Sequence, residues 1–357
     1  MPRPALCVLF AAALAAGAQP PAAEAPAVKL LKASGAGESR RTKQLAYSPD
    51  GKTLLAFQVV STLEGPNREL LAYDVSSGTT RTLEALTKTD NGVRQAGPVS
   101  TARTLAFHPN GKFLWVGDNT GIVVYDWPVM TVSRRIPTSY FAQTLTFTAE
   151  GKTAVVGWGV GDYGVDLLDA ESGRQRASVK YTDEKLRPHF GGSPRLPVER
   201  VSLMPDGETL AALVHDRQGA AKIEFRNVAT GQPSQWLKTI SLDGPRYFHL
   251  AVSKDGKHLA VCGGMFNPVN RGHSGWLEVW GVDGVRSTSE VPKSGEDGSY
   301  PTHVEFRPDG KRLAVIDRSS IGLIDYAVWK KRDDPTQRSS EMIHLRRRRS
   351  SRHRIWR

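Results

Sequence analysis

The stretch RPDGKRLAV, residues 307–315, sets a Pro-Asp-Gly turn between the segment VEF before it and an apolar run after it. Pro favours the first bend of a tight turn, Asp hydrogen-bonds back to its own backbone, and Gly accepts a positive φ. Two short strands joined by such a turn form a β-hairpin. Nearly the same stretch occurs five more times in the chain, and this recurrence predicts the architecture.

The repeated units share an apolar run, a turn acid or amide followed by Gly, and a second apolar run. They are LAYSPDGKTLLAF (45–57), LAFHPNGKFLWVG (105–117), LTFTAEGKTAVVG (145–157), VSLMPDGETLAAL (201–213), LAVSKDGKHLAVC (250–262) and VEFRPDGKRLAVI (304–316). Their turn glycines are 60, 40, 56, 49 and 54 residues apart. The irregular spacing indicates a constant hairpin with connections of varying length between the units.

A third apolar run follows each hairpin, for example ELLAYDVSSG and GIVVYDWP, and a weaker fourth run fits TTRTLEAL, RQRASVKY and VRSTSEV. Four short antiparallel strands make one propeller blade, and a single blade cannot bury both of its faces alone. We therefore predict an all-β protein, a β-propeller of four-stranded antiparallel blades, with six blades visible.

The hairpins and the following YD…SG runs resemble WD40-type repeats, in the degenerate form found in exported bacterial propellers such as that of the Tol system. The resemblance covers about residues 28–326. It departs from the family because no Gly-His pair precedes the first strands and no Trp-Asp pair is intact, Tyr73-Asp74 and Tyr125-Asp126 being nearest. The resemblance implies a propeller that binds other proteins.

The sixth unit lacks its outer strand. Residues 28–32 (VKLLK) can supply it and close the ring with strands from both ends of the chain, which leaves no open edge. A seventh blade would need about 40 more residues. Seven blades remain an alternative if the C-terminus is truncated.

The N-terminus has the features of an export signal. A basic residue precedes a 12-residue apolar stretch (5–16), and Ala-Gly-Ala (16–18) matches a cleavage site. We predict a signal peptide at 1–18, a Pro/Ala-rich spacer at 19–27, and an exported (periplasmic or extracellular) protein. The mature chain then has no membrane span, and its single cysteine, Cys262, forms no internal disulfide.

The net charge of +12 is concentrated at the C-terminus. Residues 327–357 hold 11 Lys or Arg and 3 Asp or Glu, a net charge of +8, which leaves +4 for the rest. This basic tail is interpreted as disordered, as a patch for polyanions, or as out-of-frame sequence appended to a truncated gene. Basic residues are not interleaved with aromatics in any repeat, and we expect no nucleic-acid partner.

Long connections before the first strands and after the second strands fall on one face of the predicted propeller. These are residues 60–68, 88–101, 157–164, 181–197 and 263–275. Long loops on a rigid frame are where binding sites usually evolve, and aromatics with nearby arginines are typical of protein-recognition surfaces. The candidate binding residues on this face are Tyr140, Phe141, Trp158, Tyr163, Arg200, Tyr247, His249, Phe266, Tyr300 and His303. Such rings can also simply fill gaps between blades.

One repeat position carries several polar side chains. Six residues before each turn acid or amide stand Gln44, Thr104, Thr144, Arg200, His249 and His303. Repeat symmetry predicts that they meet near one mouth of the central channel, and Asp118, Asp216 and Asp317 should rise to the same face. Such a set could bind a metal or act as acid and base. Alternatively, the aspartates form Asp-x-x-Gly turns and the histidines are structural.

Motifs typical of enzymes are missing from the sequence: there is no Walker loop, G-x-S-x-G, H-E-x-x-H or paired-cysteine zinc pattern. We therefore assign no catalytic residue, no metal ligand and no cofactor. The predicted function is a monomeric scaffold that binds a protein or peptide through its loop-rich face. The alternatives are a lactonase- or lyase-like propeller enzyme working from the channel mouth, and a propeller that serves only as part of a larger assembly.

Overall fold

The computed structural model describes residues 29–31, 39–62, 65–85, 87–90, 93–96, 102–139, 141–160, 162–180, 198–215, 220–243, 246–267, 272–288, 300–317 and 320–326. The predicted signal peptide at 1–18, the spacer at 19–27 and the basic tail at 327–357 lie outside these residues. Within the described part of the chain, no helix has the length and apolar character needed to span a bilayer.

The described residues form 26 strands. In chain order they are β1 (Lys29–Leu31), β2 (Ser39–Tyr47), β3 (Thr53–Thr62), β4 (Gly65–Asp74), β5 (Thr80–Ala85), β6 (Thr87–Asp90), β7 (Val93–Ala96), β8 (Thr104–Phe107), β9 (Phe113–Gly117), β10 (Gly121–Asp126), β11 (Thr131–Pro137), β12 (Ala142–Phe147), β13 (Thr153–Val160), β14 (Asp162–Asp169), β15 (Gln175–Lys180), β16 (Val198–Leu203), β17 (Thr209–His215), β18 (Ala221–Asn227), β19 (Ile240–Ser241), β20 (Tyr247–Val252), β21 (His258–Asn267), β22 (Gly272–Gly281), β23 (Arg286–Thr288), β24 (Pro301–Phe306), β25 (Arg312–Asp317) and β26 (Ser320–Asp325).

Within the described residues, the strands pair into six four-stranded antiparallel sheets and one small hairpin, β6–β7. Each repeat makes one blade: β2–β5, β8–β11, β12–β15, β16–β19 and β20–β23 are blades 1 to 5, and β24–β26 with β1 are blade 6. This confirms the predicted fold class, including the weak fourth strands that become β5, β15 and β23.

The first strands of the blades lie innermost, and each contacts the first strands of its two neighbours. The order β2, β8, β12, β16, β20, β24 returns to β2, so the blades form a closed ring. Each first strand pairs with a second strand along one edge. Its other edge faces inward, and these inner edges surround a central channel. The molecule is therefore a β-propeller.

The hydrophobic core is divided into layers between adjacent blades. One cluster joins Leu45 and Tyr47 of blade 1 to Ala314 and Ile316 of blade 6. Equivalent clusters fill the other five blade boundaries. Burying a Leu, Ile or Val side chain contributes roughly 1.5–3 kcal/mol, so each blade is stabilised mainly by its two neighbours, as in other repeat proteins.

The ring is closed by strands from both ends of the chain. Strand β1 pairs antiparallel with β26, with Lys29 opposite Leu323 and Leu31 opposite Ile321. This confirms that the segment 28–32 supplies the missing outer strand of blade 6. The described residues thus form six blades.

The turn between the first and second strand has the same geometry in every blade. The six turn glycines have φ between 68° and 71°. Each donates its N–H to the carbonyl three residues earlier at 2.8–3.0 Å. A side chain at such a φ is strained, which explains why Gly recurs at this position.

Gly111 and Gly151 both have φ of +71°, so the backbone strain that a side chain causes should be the same at both positions. They differ in the space that is available for a Cβ atom. A Cβ at Gly111 would meet nothing within 4 Å, whereas one at Gly151 would lie 2.6 Å from the His108 ring. His108 Nε2 also hydrogen-bonds the Gly151 carbonyl at 2.9 Å and so joins blades 2 and 3.

We expect Gly111→Ala to lower the free energy of unfolding by about 1–2 kcal/mol through strain alone. Gly151→Ala should cost about 1 kcal/mol more, because it also disturbs the hydrogen bond between the blades. Urea denaturation of both variants measures the difference, and equal losses would show that the His108 contact contributes nothing.

Three of the predicted loops are largely strand. Strands β3 and β4 pair out to Thr62 and Gly65, β13 and β14 to Val160 and Asp162, and β21 and β22 to Asn267 and Gly272. The segments 60–68, 157–164 and 263–275 are therefore extensions of hairpins in blades 1, 3 and 5. The segment 88–101 contains part of the β6–β7 hairpin, and 181–197 lies outside the described residues.

Candidate functional site

A cavity of about 500 Å³ opens at the end of the channel where the first strands begin and the second strands end. This is the face on which the sequence places the long connections. We call this cavity the channel mouth. It is lined by Lys43, Gln44, Phe57, Val59, Ala102, Arg103, Asn119, Gln143, Glu199, Arg200, Phe248, His249, Thr302 and His303.

A β-bulge shapes the mouth in five of the six blades. In β2, β12, β16, β20 and β24 the pairing register with the second strand skips one residue near the start of the strand. A bulged residue leaves the ladder and its side chain is redirected. The five skipped residues all line the channel mouth: Lys43, Gln143, Glu199, Phe248 and Thr302.

The residues that stand six positions before each turn acid or amide fall into two groups. Four of its residues line the mouth as predicted: Gln44, Arg200, His249 and His303. Thr104 and Thr144 are buried and do not line it. They are packed against the second strands, since a Cβ at Gly117 would lie 2.6 Å from Thr104 Cγ2 and one at Gly157 would lie 2.3 Å from Thr144 Oγ1.

His249 and His303 form a tilted ring pair, with centroids 3.5 Å apart. Both side chains are buried, and the Leu45 N–H donates to His303 Nε2 at 3.3 Å. Burial, followed by the charge of Arg200, holds the pKa of each histidine well below its usual value, while the nearby Val304 and Leu45 backbone acts in the opposite direction. Both rings are therefore neutral near pH 7, and each has one N–H donor and one acceptor nitrogen. The acceptor of His303 is the Nε2 that the Leu45 N–H already occupies.

Two charged side chains lie in the channel and interact electrostatically. Arg200 lies at the inner end of the mouth, and both it and Glu305 line a second cavity of about 240 Å³ between the innermost strands. Burial lowers the pKa of Arg200 to about 10, with Glu305 opposing. Burial raises the pKa of Glu305 to about 7, with Arg200 opposing. The channel thus holds an arginine that stays charged and a carboxyl that titrates near neutrality.

Partly exposed aromatic rings and exposed arginines stand around the mouth. The Arg103 guanidinium lies 5.0 Å from the centre of the Phe141 ring. On the other side, Phe248 stacks on Tyr300 at 5.5 Å, and Arg246 lies over Phe248 at 5.0 Å. We call these five residues the rim. Such cation–π pairs hold the long arginine side chains in place.

Not every candidate aromatic lies on the rim. Trp158 and Tyr247 are only 3% and 0% exposed. The Trp158 ring fills the space above Gly164, where a Cβ would come within 2.4 Å of Cζ2. The Tyr247 ring packs 5.7 Å from that of Trp276, and its hydroxyl donates to Glu278 at 3.1 Å. A partner at the mouth cannot reach either side chain, because both are packed inside their blades.

Three further candidates are less fully described. Tyr140 lies outside the described residues. Tyr163 and Phe266 belong to the extended strands β14 and β21, which places them on the hairpin extensions of blades 3 and 5. Their part in binding stays a prediction.

Asp118 does not join the histidines. The Asp118 carboxylate accepts hydrogen bonds from the N–H groups of Thr120 and Gly121 at 2.7 and 2.9 Å, as in an Asp-x-x-Gly turn. Asp216 lies outside the described residues, and Asp317 ends β25. Among the residues the structure describes, no three or more His, Cys, Asp or Glu are grouped to hold a metal ion. The lactonase- or lyase-like alternative stays an untested prediction.

Sequence reasoning missed most of the mouth lining. Six of its polar residues, among them Asn119, were not candidates, and neither was Glu305. One signal could have found the other five: Lys43, Arg103, Gln143, Glu199 and Thr302 all stand seven residues before a turn acid or amide. The bulge that turns this position toward the channel has no recognisable local sequence pattern.

No known family model matches this chain, and the comparison with curated proteins found no match. Among solved structures, the chain is similar to the β-propeller domain of Cps50 (Swd1) from Myceliophteria thermophila. The TM-score is 0.48 and the identity 12%, over 80% of this chain and 97% of that chain. At this level the likeness carries no functional conclusion. The propeller assignment rests on the strand pairing and on the closed ring of blades.

Proposed function

We propose that the protein is an exported, WD40-like β-propeller that binds a protein or peptide segment through its channel-mouth face. The observation that carries this proposal is the rim, in which accessible aromatic rings and arginines surround a concave cavity. Aromatic residues and Arg are the side chains most enriched where binding energy concentrates at protein interfaces.

The rim is held by rigid elements. Arg103 and Phe141 stand just before the innermost strands β8 and β12, and Phe248 and Tyr300 stand at the start of β20 and just before β24. Side chains held this way lose little freedom on binding, which favours affinity. The cavity of about 500 Å³ between them is within the usual size range of ligand pockets. These features fit a partner that places a short segment over the channel.

Export, a monomeric state and kinship with Tol-system propellers are parts of the same proposal. They are supported by the N-terminal sequence 1–18 and by the repeat pattern. N-terminal sequencing of the protein secreted by the native host tests the export step. A mature chain that starts near residue 19 is expected, and a retained Met1 would contradict export.

Selection from a displayed random-peptide library against the full chain tests the binding role. We expect Phe248→Ala and Arg103→Ala to weaken the selected peptides about tenfold to thirtyfold, as the loss of a well-packed interface residue does. Affinities are measured by fluorescence anisotropy with labelled peptides.

Trp236→Ala is the matched control, because Trp236 is 89% exposed and lies outside the mouth. It should leave the affinity unchanged. Peptides that lose affinity on Trp236→Ala but not on Phe248→Ala would contradict the assignment of the binding face.

A further inference from the structure

Two polar side chains at the inner end of the channel mouth have unused hydrogen-bonding capacity. His249 is 3% exposed, and within the described residues neither of its ring nitrogens makes a hydrogen bond of good geometry, although the Val304 backbone lies near one of them. In the same part of the chain, Arg200 makes one hydrogen bond, from Nη1 to the Gln143 carbonyl at 3.4 Å, which is long. Buried polar groups are normally hydrogen-bonded, and each one left unpaired is costly.

Both side chains face open space. Arg200 and His249 line the channel mouth and also the second, deeper cavity of about 240 Å³. They are the residues at which the two cavities meet. A ligand group that enters from the mouth therefore comes next to both side chains. The two ring nitrogens of His249 are themselves buried, so a small movement of the ring is needed before one of them can bind the ligand.

We propose that Arg200 and His249 bind a carboxylate group at the inner end of the channel mouth. The guanidinium offers several donors in one plane, which matches the two oxygens of a carboxylate. A neutral His249 can add one N–H donor. This subsite does not depend on the rim binding a peptide.

The surrounding charges favour a binding group of low negative charge. Lys43, Arg103 and Arg200 outnumber Glu199 among the charged side chains that line the mouth. Glu305, deeper in the channel, interacts electrostatically with Arg200 and competes with any incoming anion. One carboxylate group is planar and carries a single negative charge, so it suits this balance better than one phosphate group, which carries between one and two.

The carboxylate can come from a free organic acid or from an acidic side chain of a bound segment. Isothermal titration of the full chain with glutarate tests the first source, and with the peptide acetyl-Gly-Asp-Gly-amide the second. Glutaramide, acetyl-Gly-Asn-Gly-amide and inorganic phosphate are the comparison probes. We expect glutarate or the Asp peptide to bind saturably and at least tenfold more tightly than its amide counterpart and than phosphate.

Substitutions test whether Arg200 and His249 are the side chains that bind the carboxylate. Arg200→Met and His249→Phe should each weaken the bound carboxylate at least tenfold, and Arg200→Lys should restore only part of the affinity. Lys43→Met is the matched control for general attraction by positive charge, because Lys43 lines the mouth but belongs to neither the rim nor the subsite, and we expect less than a threefold change. Glu305→Gln removes the competing carboxyl, and it should strengthen binding about threefold at pH 8, a gain that misfolding cannot imitate.

If glutarate binds, a free organic acid is enough to occupy the subsite. If only the Asp peptide binds, the carboxylate comes from a side chain of a bound segment. Either result supports the subsite, provided that Arg200→Met abolishes the binding. The proposal is overturned if neither carboxylate binds, if phosphate binds more tightly, or if Lys43→Met weakens binding as much as Arg200→Met. Failure here leaves the rim proposal intact, since the peptide selection does not require Arg200.

Discussion

A Glu278→Ala variant should lose about 3 kcal/mol of unfolding free energy, a large effect for one buried polar residue. The Glu278 carboxylate accepts hydrogen bonds from Tyr247 Oη at 3.1 Å and from Trp280 Nε1 at 2.9 Å. It also lies 3.5 Å from the Arg286 guanidinium. The interaction thus joins the first, third and fourth strands of blade 5, next to the core shared with blade 4.

The loss is large because the donors are buried. Removing the carboxylate leaves the hydroxyl of Tyr247 and the indole N–H of Trp280 without their acceptor, at a cost of about 1–3 kcal/mol each. Urea denaturation followed by tryptophan fluorescence measures the change.

Glu278→Gln is the matched control. It keeps one acceptor oxygen and loses only the attraction to Arg286, which is 38% exposed and therefore screened by solvent. The Gln variant should lose about 1 kcal/mol. Similar losses in the Ala and Gln variants would mean that charge, and not the acceptor, is what blade 5 requires.

A Glu305→Gln variant should be more stable than the native protein above pH 7, by about 1–3 kcal/mol, and by less than about 1 kcal/mol at pH 5. Burial raises the pKa of Glu305 from 4.5 to about 7 in the folded protein. Between these values the folded state binds more protons than the unfolded state. The stability of the native protein therefore falls as the pH rises from about 4.5 to about 7, and the full loss persists above pH 7.

The groups that act on Glu305 or share its cavity are Arg200, Tyr47 and His249. The lowered pKa of His249 works in the opposite direction, because a buried neutral histidine loses stability as the pH falls below its ordinary value. That loss is common to both proteins, so the difference between them isolates Glu305. Unfolding free energies at pH 5, 6, 7 and 8 measure it, and a difference that does not change with pH would contradict the assignment.

The sequence predicted the blades well because their determinants are local. The turn glycines, from Gly51 to Gly310, need a positive φ that other residues adopt only with strain, and the flanking apolar runs follow strand periodicity. Pairing of the segment 28–32 with the last blade also followed from counting strands. None of these inferences required knowledge of contacts between distant residues.

The candidate site was predicted only in part. Repeat symmetry correctly brought Arg200, His249 and His303 to one mouth. The loop and aromatic pattern also placed Trp158 and Tyr247 on the binding face, although both are buried. Whether an aromatic ring at a strand end faces solvent or fills its blade depends on the residues opposite it, such as Gly164 and Trp276, which the repeat pattern does not reveal.

From the order of residues alone one obtains the hairpins, their number, the ring they must form, and the end of the channel at which polar side chains collect. All of these follow from turn chemistry and the need of each blade to bury its faces. The bulges that turn Lys43 and Glu199 inward depend on the pairing of the first and second strands within a blade, which the sequence pattern does not reveal. The contact between His249 and His303, and the shared cavity of Arg200 and Glu305, depend on how separate blades pack. These two exist only in the closed ring, because side chains far apart in the sequence meet only when the blades surround a common axis.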